Sequence, residues 1–84
     1  MIYVYVLHSE KDGLLYTGCT HNLRKRLALH QAGKVSSTSK RQPLSLIYYE
    51  ASTDEQDAFR REKYLKTTYG KRYIRTRCRN YFTG

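Results

Sequence analysis

Apolar residues fall in short runs separated by polar segments, and the first two runs predict a hairpin. The run 2–9 is rich in β-branched and aromatic residues, which is typical of a buried strand. Asp12 and Gly13 follow it and form a strong signal for a tight turn. The run 14–19 then supplies the antiparallel partner, so we expect the chain to begin with two paired strands.

The next segments change from helix to loop to strand. Either Thr20 or Asn22 can cap a helix that should end near Gly33. Its inward positions recur at helical spacing at Leu23, Leu27 and His30. The polar segment 34–43 predicts a loop, and the apolar run 44–51 predicts a third strand.

The last third of the chain predicts two helices. Ser52 and Thr53 precede a Glu and a Gln at capping-box spacing and should open a helix that ends near Lys66. The buried side of that helix is expected at Ala58, Phe59 and Leu65. The segment 67–70 should break it, and 71–82 should form a final basic helix.

These elements, in the order β-β-α-β-α-α, describe one α+β domain over residues 1–84: a small three-stranded antiparallel sheet with helices packed on it.

The net charge of the chain indicates what kind of partner it binds. Sixteen Lys and Arg stand against seven Asp and Glu, and the segment 60–79 holds nine cations against the single acid Glu62. Such a one-sided field favours a polyanion, most often nucleic acid, over a merely soluble basic protein. No apolar run has membrane-spanning length, no signal peptide is expected, and Cys19 and Cys78 fit reduced thiols, so we expect a cytoplasmic protein.

Several residues in this basic chain can carry chemistry. Glu62 either pairs with Lys66 one helical turn away or holds a divalent cation against phosphate. Arg26 and His30 share one face of the first helix, where Arg suits a phosphoryl centre and His can relay a proton. A tyrosine can act as a base only where cations or a metal lower its pKa.

The joint arrangement resembles the GIY-YIG nuclease superfamily over essentially the whole chain. "YVY" (3–5) stands where the family has Gly-Ile-Tyr, with Tyr3 in place of the glycine, and "YTG" (16–18) stands for Tyr-Ile-Gly. "NLRKRL" looks like its Arg-bearing helix and "RREKYLK" like its metal-ligand helix. The chain is most similar to the short stand-alone group related to the nuclease domain of the bacterial excision-repair excinuclease.

The resemblance implies hydrolysis of a DNA phosphodiester bond with one divalent metal ion, Mg²⁺ or Mn²⁺. Glu62 would hold the metal, Arg26 would stabilise the transition state, and Tyr5 or Tyr16 would activate water. His30 would assist, Gly18 would allow a tight turn of the backbone, and Asn80 is a candidate support for the site.

The expected partner is the DNA phosphate backbone, with no membrane and no small-molecule cofactor, and the sequence identifies no protein partner. The expected DNA-binding residues are the cations of the loop and of the last two helices: Lys34, Lys40, Arg41, Arg61, Lys66, Lys71, Arg72, Arg75 and Arg79. Size alone favours single-stranded, branched or damaged DNA as substrate, or action with a partner. Two alternatives stay open: a non-catalytic nucleic-acid-binding module on the same scaffold, and a protein-interaction domain with a basic surface.

Overall fold

The expected hairpin is present in the computed structural model, which describes all residues 1–84. The strands are β1 (Ile2–Ser9), β2 (Leu15–Thr20) and β3 (Leu44–Ser52). The helices are α1 (Leu23–Gln31), α2 (Glu55–Leu65), α3 (Thr68–Arg77) and α4 (Arg79–Thr83). The sheet is antiparallel with order β2-β1-β3, so β1 is central and β2 is an edge strand. The predicted α+β class and element order are confirmed.

Alternation along β1 divides the core between the two faces of the sheet. Val4 and Val6 point to one face, where they pack with Ala58 and Leu65 of α2 and Ile74 of α3. On the other face, Tyr5 and Leu7 of β1 and Leu44 of β3 are covered by Leu23 and Leu27 of α1. Helix α1 therefore lies on the opposite face of the sheet from α2 and α3.

The caps of the first two helices differ in how well the sequence predicts them. Asn22, one of the two expected caps of α1, accepts a hydrogen bond from the backbone N–H of Lys25 at 3.0 Å. The expected capping of α2 by Ser52 or Thr53 is wrong. Strand β3 continues to Ser52, and Asp54 accepts the first free N–H groups of α2 instead.

The predicted burial of Phe59 is also wrong, because it lies one position away from the buried stripe of α2 and is exposed. Ala58 and Leu65, seven positions apart, form that stripe.

The expected break after α2 is present but shorter than predicted: it is confined to Lys66 and Thr67, because α3 begins at Thr68 with Thr67 as its cap. Gly70 lies in the first turn of α3 and is buried against the end of α2. A Cβ at this position would overlap Leu65 Cα and lie 2.8 Å from its carbonyl carbon. The final helix is divided at Cys78, whose backbone (φ −107°, ψ 27°) leaves the helical region.

The polar loop 34–43 is better packed than its composition suggests. Val35 and Thr38 are buried, and Ser9 donates a hydrogen bond to the carbonyl of Arg41 at 2.6 Å. Arg41 also pairs with Asp12 at 2.7 Å, which lowers the pKa of Asp12 to about 2. The loop is therefore fastened to both the end of β1 and the hairpin turn. No helix in the structure is long and apolar enough to cross a bilayer.

Candidate active site

A buried chain of hydrogen bonds links three distant segments. The Tyr5 hydroxyl is 2.8 Å from Nε2 of His30, and Nδ1 of His30 is 2.7 Å from the Thr38 hydroxyl. Tyr5 is 1% exposed, and His30 and Thr38 are completely buried. These hydrogen bonds join the central strand, the last turn of α1 and the loop. The loop supplies Thr38, the partner of Nδ1 of His30.

Gly18 provides the space for the Tyr5 ring. It pairs with Tyr5 across β1 and β2, so any side chain there would point to the same face of the sheet. A Cβ on Gly18 would overlap Cζ and the hydroxyl oxygen of Tyr5 and would lie 2.9 Å from Cε1. The glycine is therefore needed for close approach of the phenol, rather than for the tight turn expected from the sequence; its φ is not positive.

The direction of these hydrogen bonds depends on the tautomer of His30. With the Thr38 hydroxyl turned toward the carbonyl of Val35, 3.5 Å away, it accepts from Nδ1–H of His30. In that tautomer Nε2 accepts the hydrogen bond of the Tyr5 hydroxyl.

Burial sets the resting charge state of the pair. Desolvation raises the pKa of Tyr5, an effect that the contact with Arg26 partly offsets. Desolvation, followed by the positive charge of Arg26, lowers the pKa of His30 below its usual 6.5. Both groups are therefore uncharged near neutral pH.

Tyr16 and Arg26 complete the cluster on the α1 face of the sheet. The Tyr16 ring centroid is 5.1 Å from that of His30 and 6.4 Å from that of Tyr5. The nearby hydroxyl of Tyr5 is the main cause that raises the pKa of Arg26, and the hydroxyl of Tyr16 adds to it. Tyr16 and Arg26 are only half-buried, so these two side chains form the solvent-facing side of the cluster.

Glu62 approaches the edge strand from the other face of the sheet. Its charge contributes to the raised pKa of Tyr5, and to that of Cys19, for which burial is the larger cause. The carboxylate pairs with Lys66 at 3.1 Å, as the salt-bridge interpretation expects, and it remains partly exposed. Four of the five expected catalytic residues thus form one cluster, and Glu62 stands within electrostatic range of it.

The metal-binding capacity of this site rests on one carboxylate. No group of three His, Cys, Asp or Glu side chains is close enough to hold a cation by itself. Mg²⁺ is commonly held by one or two carboxylates together with substrate phosphates and several waters. The partly exposed Glu62 fits such a site, with Lys66 as the counter-ion that the cation would displace.

The expected DNA-binding cations differ in their availability. Arg41, Arg61 and Lys66 already pair with Asp12, Glu50 and Glu62, respectively. Arg61 also lies over two tyrosine rings. The remaining expected cations are exposed and form no salt bridge: Lys34, Lys40, Lys71, Arg72, Arg75 and Arg79. Lys34 and Lys40 belong to the loop whose Thr38 contacts His30, whereas the cations of α3 and α4 lie with the helices of the opposite face.

Asn80 is not brought to the cluster. It lies on α4, exposed, and its side chain makes no hydrogen bond. Helix α4 packs through Tyr81, whose hydroxyl bonds Nδ1 of His8 at 2.8 Å, and through Phe82. His8 lies three positions beyond Tyr5 on β1 and points to the other face of the sheet.

The sequence interpretation missed Thr38 completely. It stands in a polar loop among other serines and threonines, and no local pattern distinguishes it from them. Only the folding of the loop against α1 reveals its contact with His30.

Comparison with known proteins agrees with this geometry. A family model described as the GIY-YIG catalytic domain matches residues 1–77. The chain therefore belongs to the GIY-YIG family, a nuclease-type class.

Among its relatives, a UPF0213 protein of Staphylococcus haemolyticus is 44% identical over 66 residues, which cover 77% of this chain and 79% of that protein. A UPF0213 protein of Streptococcus pyogenes is 46% identical over 76% of this chain and 70% of its own length. A third, from Clostridium perfringens, is 43% identical over 79% and 71%, respectively. No solved structure matches the chain significantly.

Proposed function

We propose that this protein is a metal-dependent DNA endonuclease that hydrolyses phosphodiester bonds. The observation that carries the proposal is the buried Tyr5–His30 hydrogen bond with the Arg26 guanidinium beside it. A domain that served only as a scaffold gains little from burying a phenol and an imidazole beside a cation, because the buried groups lose hydration. A phosphoryl-transfer site can use all three kinds of group.

The geometry supports different roles for the two tyrosines. The Tyr5 hydroxyl is inaccessible and already bonded to His30, whereas Tyr16 is half-buried and faces solvent. We assign to Tyr16 the contact with the attacking water. Tyr5 is a positioning residue: it lies beside Arg26 on one side and is hydrogen-bonded to Nε2 of His30 on the other.

Arg26 has the position to stabilise negative charge on the phosphate. Its planar fork can bind two phosphate oxygens, and donors fixed before the reaction need little reorganisation. Glu62 would hold a single Mg²⁺ or Mn²⁺, which supplies Lewis-acid polarisation of the scissile phosphate and stabilises the leaving oxygen. The cytoplasmic location expected from the sequence stays a prediction.

A non-catalytic DNA-binding module is the alternative, favoured by the Glu62–Lys66 salt bridge and by the exposed cations of α3 and α4. Such a module would use the same charge but would not need Tyr5, Tyr16 and Arg26 to meet. Cleavage assays therefore separate the two functions, whereas binding assays do not.

The test incubates pure protein with labelled single-stranded, duplex and branched DNA in Mg²⁺, Mn²⁺ or EDTA. We expect metal-dependent cutting that Arg26→Ala and Glu62→Ala abolish, while both variants stay folded and bind DNA. Asp57→Asn, which removes an exposed charge outside the cluster, is the matched control and should cut normally. Undiminished cutting by both site variants would refute the mechanism, and no cutting of any substrate would favour the binding module.

A further inference from the structure

A groove on the α1 face lies next to the catalytic cluster and takes no part in the roles assigned above. It has a volume of about 450 Å³, in the range of pockets that hold small ligands. It opens between the start of β1, the first turns of α1 and the middle of β3. Its principal lining residues are Tyr3, His21, Arg24, Leu27, Leu46 and Tyr49.

An aromatic platform forms one wall of this groove. The rings of Tyr3 and Tyr49 meet in a T-shaped contact with centroids 6.2 Å apart. The contact supports Tyr49 without covering it, because the residue remains 54% exposed and its hydroxyl makes no hydrogen bond. An exposed, supported ring is the feature on which nucleobases stack.

The rim of the groove is complementary to phosphate. Arg24 and the neighbouring Lys25 are exposed and form no salt bridge, so both are available to an anion. His21 is already paired with Glu55 at 3.1 Å, which leaves Arg24 as the free charge within the groove itself. An apolar floor beside an unpaired guanidinium suits a ligand with a flat ring and a negative charge.

The groove and the cluster lie side by side on the α1 face of the sheet. Tyr3 precedes Tyr5 by two residues on the same face of β1, a separation of about 7 Å along the strand. The groove extends from there toward Leu46 and Tyr49 of β3, whereas the cluster extends toward Tyr16 of β2. Arg24 and Arg26, two residues apart on α1, lie on different sides of that helix. Tyr3 is therefore the lining residue that brings the groove close to the cluster.

We propose that this groove binds one unpaired base of single-stranded DNA, stacked on Tyr49, with an adjacent phosphate on Arg24. The inference rests on the proposed nuclease function and names its substrate class. A base within a duplex has both faces stacked and would have to leave the helix before it could reach Tyr49. The groove therefore selects DNA that is already single-stranded at this position.

The first test measures binding by fluorescence anisotropy in EDTA, so that no cleavage is required. The probes are a short single-stranded oligonucleotide and an abasic strand of equal length, which has the same phosphates but no bases. Wild-type protein should prefer the strand with bases by about 5- to 150-fold, the effect of about 1–3 kcal/mol of stacking. Tyr49→Ala should lose most of this preference, and Tyr49→Phe should retain it.

A second measurement tests the phosphate contact. Arg24→Ala should reduce the slope of log K against log salt for single strands by about 0.7. Lys11→Ala, which removes an exposed cation from the hairpin turn, is the matched control and should leave the slope unchanged.

The outcomes separate this inference from the proposed function. If wild type cuts DNA but folded Tyr49→Ala keeps the same base preference, base binding in the groove is refuted and the nuclease function stands. If the base preference depends on Tyr49 but no DNA is cut, base binding in the groove is supported and the nuclease function is refuted. Tighter binding of the matching RNA, or equal affinity for fully paired duplex, would overturn the assignment to single-stranded DNA.

Discussion

Gly18→Ala should damage the cluster through one added methyl group. The Cβ would overlap the Tyr5 ring, which has no free space to enter because the residue is 1% exposed. Overpacking of this kind costs about 1–3 kcal/mol. If the phenol moves away instead, Nε2 of His30 loses its partner in a buried site, at about 1–3 kcal/mol.

A smaller opposing effect comes from the unfolded chain. Replacing glycine restricts the unfolded backbone and stabilises the protein by about 0.4–1 kcal/mol. At the middle of these ranges, a cost of about 2 kcal/mol against a gain of about 0.7 kcal/mol, we expect Gly18→Ala to lose about 1.3 kcal/mol of unfolding free energy. For a domain of this size each kcal/mol shifts Tm by about 4–8 °C, so Tm should fall by at least about 4 °C.

A double-mutant cycle isolates the contact that causes this loss. Thermal and urea unfolding, followed by far-UV circular dichroism, would compare Gly18→Ala in wild type and in Tyr5→Leu. Leucine lacks the ring atoms that the new Cβ would meet, so Gly18→Ala should cost much less in the Tyr5→Leu background. Equal costs in the two backgrounds, or a Gly18→Ala protein as stable as wild type, would refute the packing argument.

Three further perturbations probe other parts of the molecule. Thr38→Val removes the hydrogen-bond partner of His30 Nδ1, so it should cost about 1–3 kcal/mol of stability and reduce cleavage. Thr38→Ser should retain both the stability and the cleavage of wild type. Equal behaviour of the two variants in unfolding and cleavage assays would contradict this. Burial holds the pKa of His30 below 6.5 in the folded protein, so the unfolded chain binds the proton first and Tm should fall as the pH drops below about 6.5. That dependence should be weaker in His30→Gln, and equal slopes would show that His30 is not its source. Arg75→Ala with Arg79→Ala should weaken DNA binding and flatten its salt dependence, and unchanged affinity at several salt concentrations would exclude that surface.

Local patterns were sufficient to predict most of the fold. The strand 2–9 was predicted with its observed bounds, because its branched and aromatic residues and the turn that follows are local signals. The helix boundaries near 52–54 and 67–70 were predicted less well. Asp54 was a stronger cap than the capping-box serine, and Gly70 was placed in a helix by its packing on α2.

The candidate site was predictable only in part. The spacing of Arg26 and His30 placed them on one helix face, and the resemblance to the family added Tyr5 and Tyr16; the structure brings all four together. Thr38 could not be found in this way, since its contact depends on how a polar loop folds over α1. Their catalytic roles, like those of Glu62 and Asn80, remain predictions for the assays above.

The strand order has a consequence for the chain as it leaves the ribosome. The cluster residues of the α1 face belong to the first half of the sequence, whereas Glu62 follows only after β3. Strand β1 is central, so it stays uncovered on one edge until β3 has been synthesised and paired. A nascent chain can thus hold the tyrosines and Arg26 but not yet the carboxylate. Under the proposed function, cleavage competence should therefore appear only with the completed domain, so a partly synthesised chain would leave nucleic acid near the ribosome uncut.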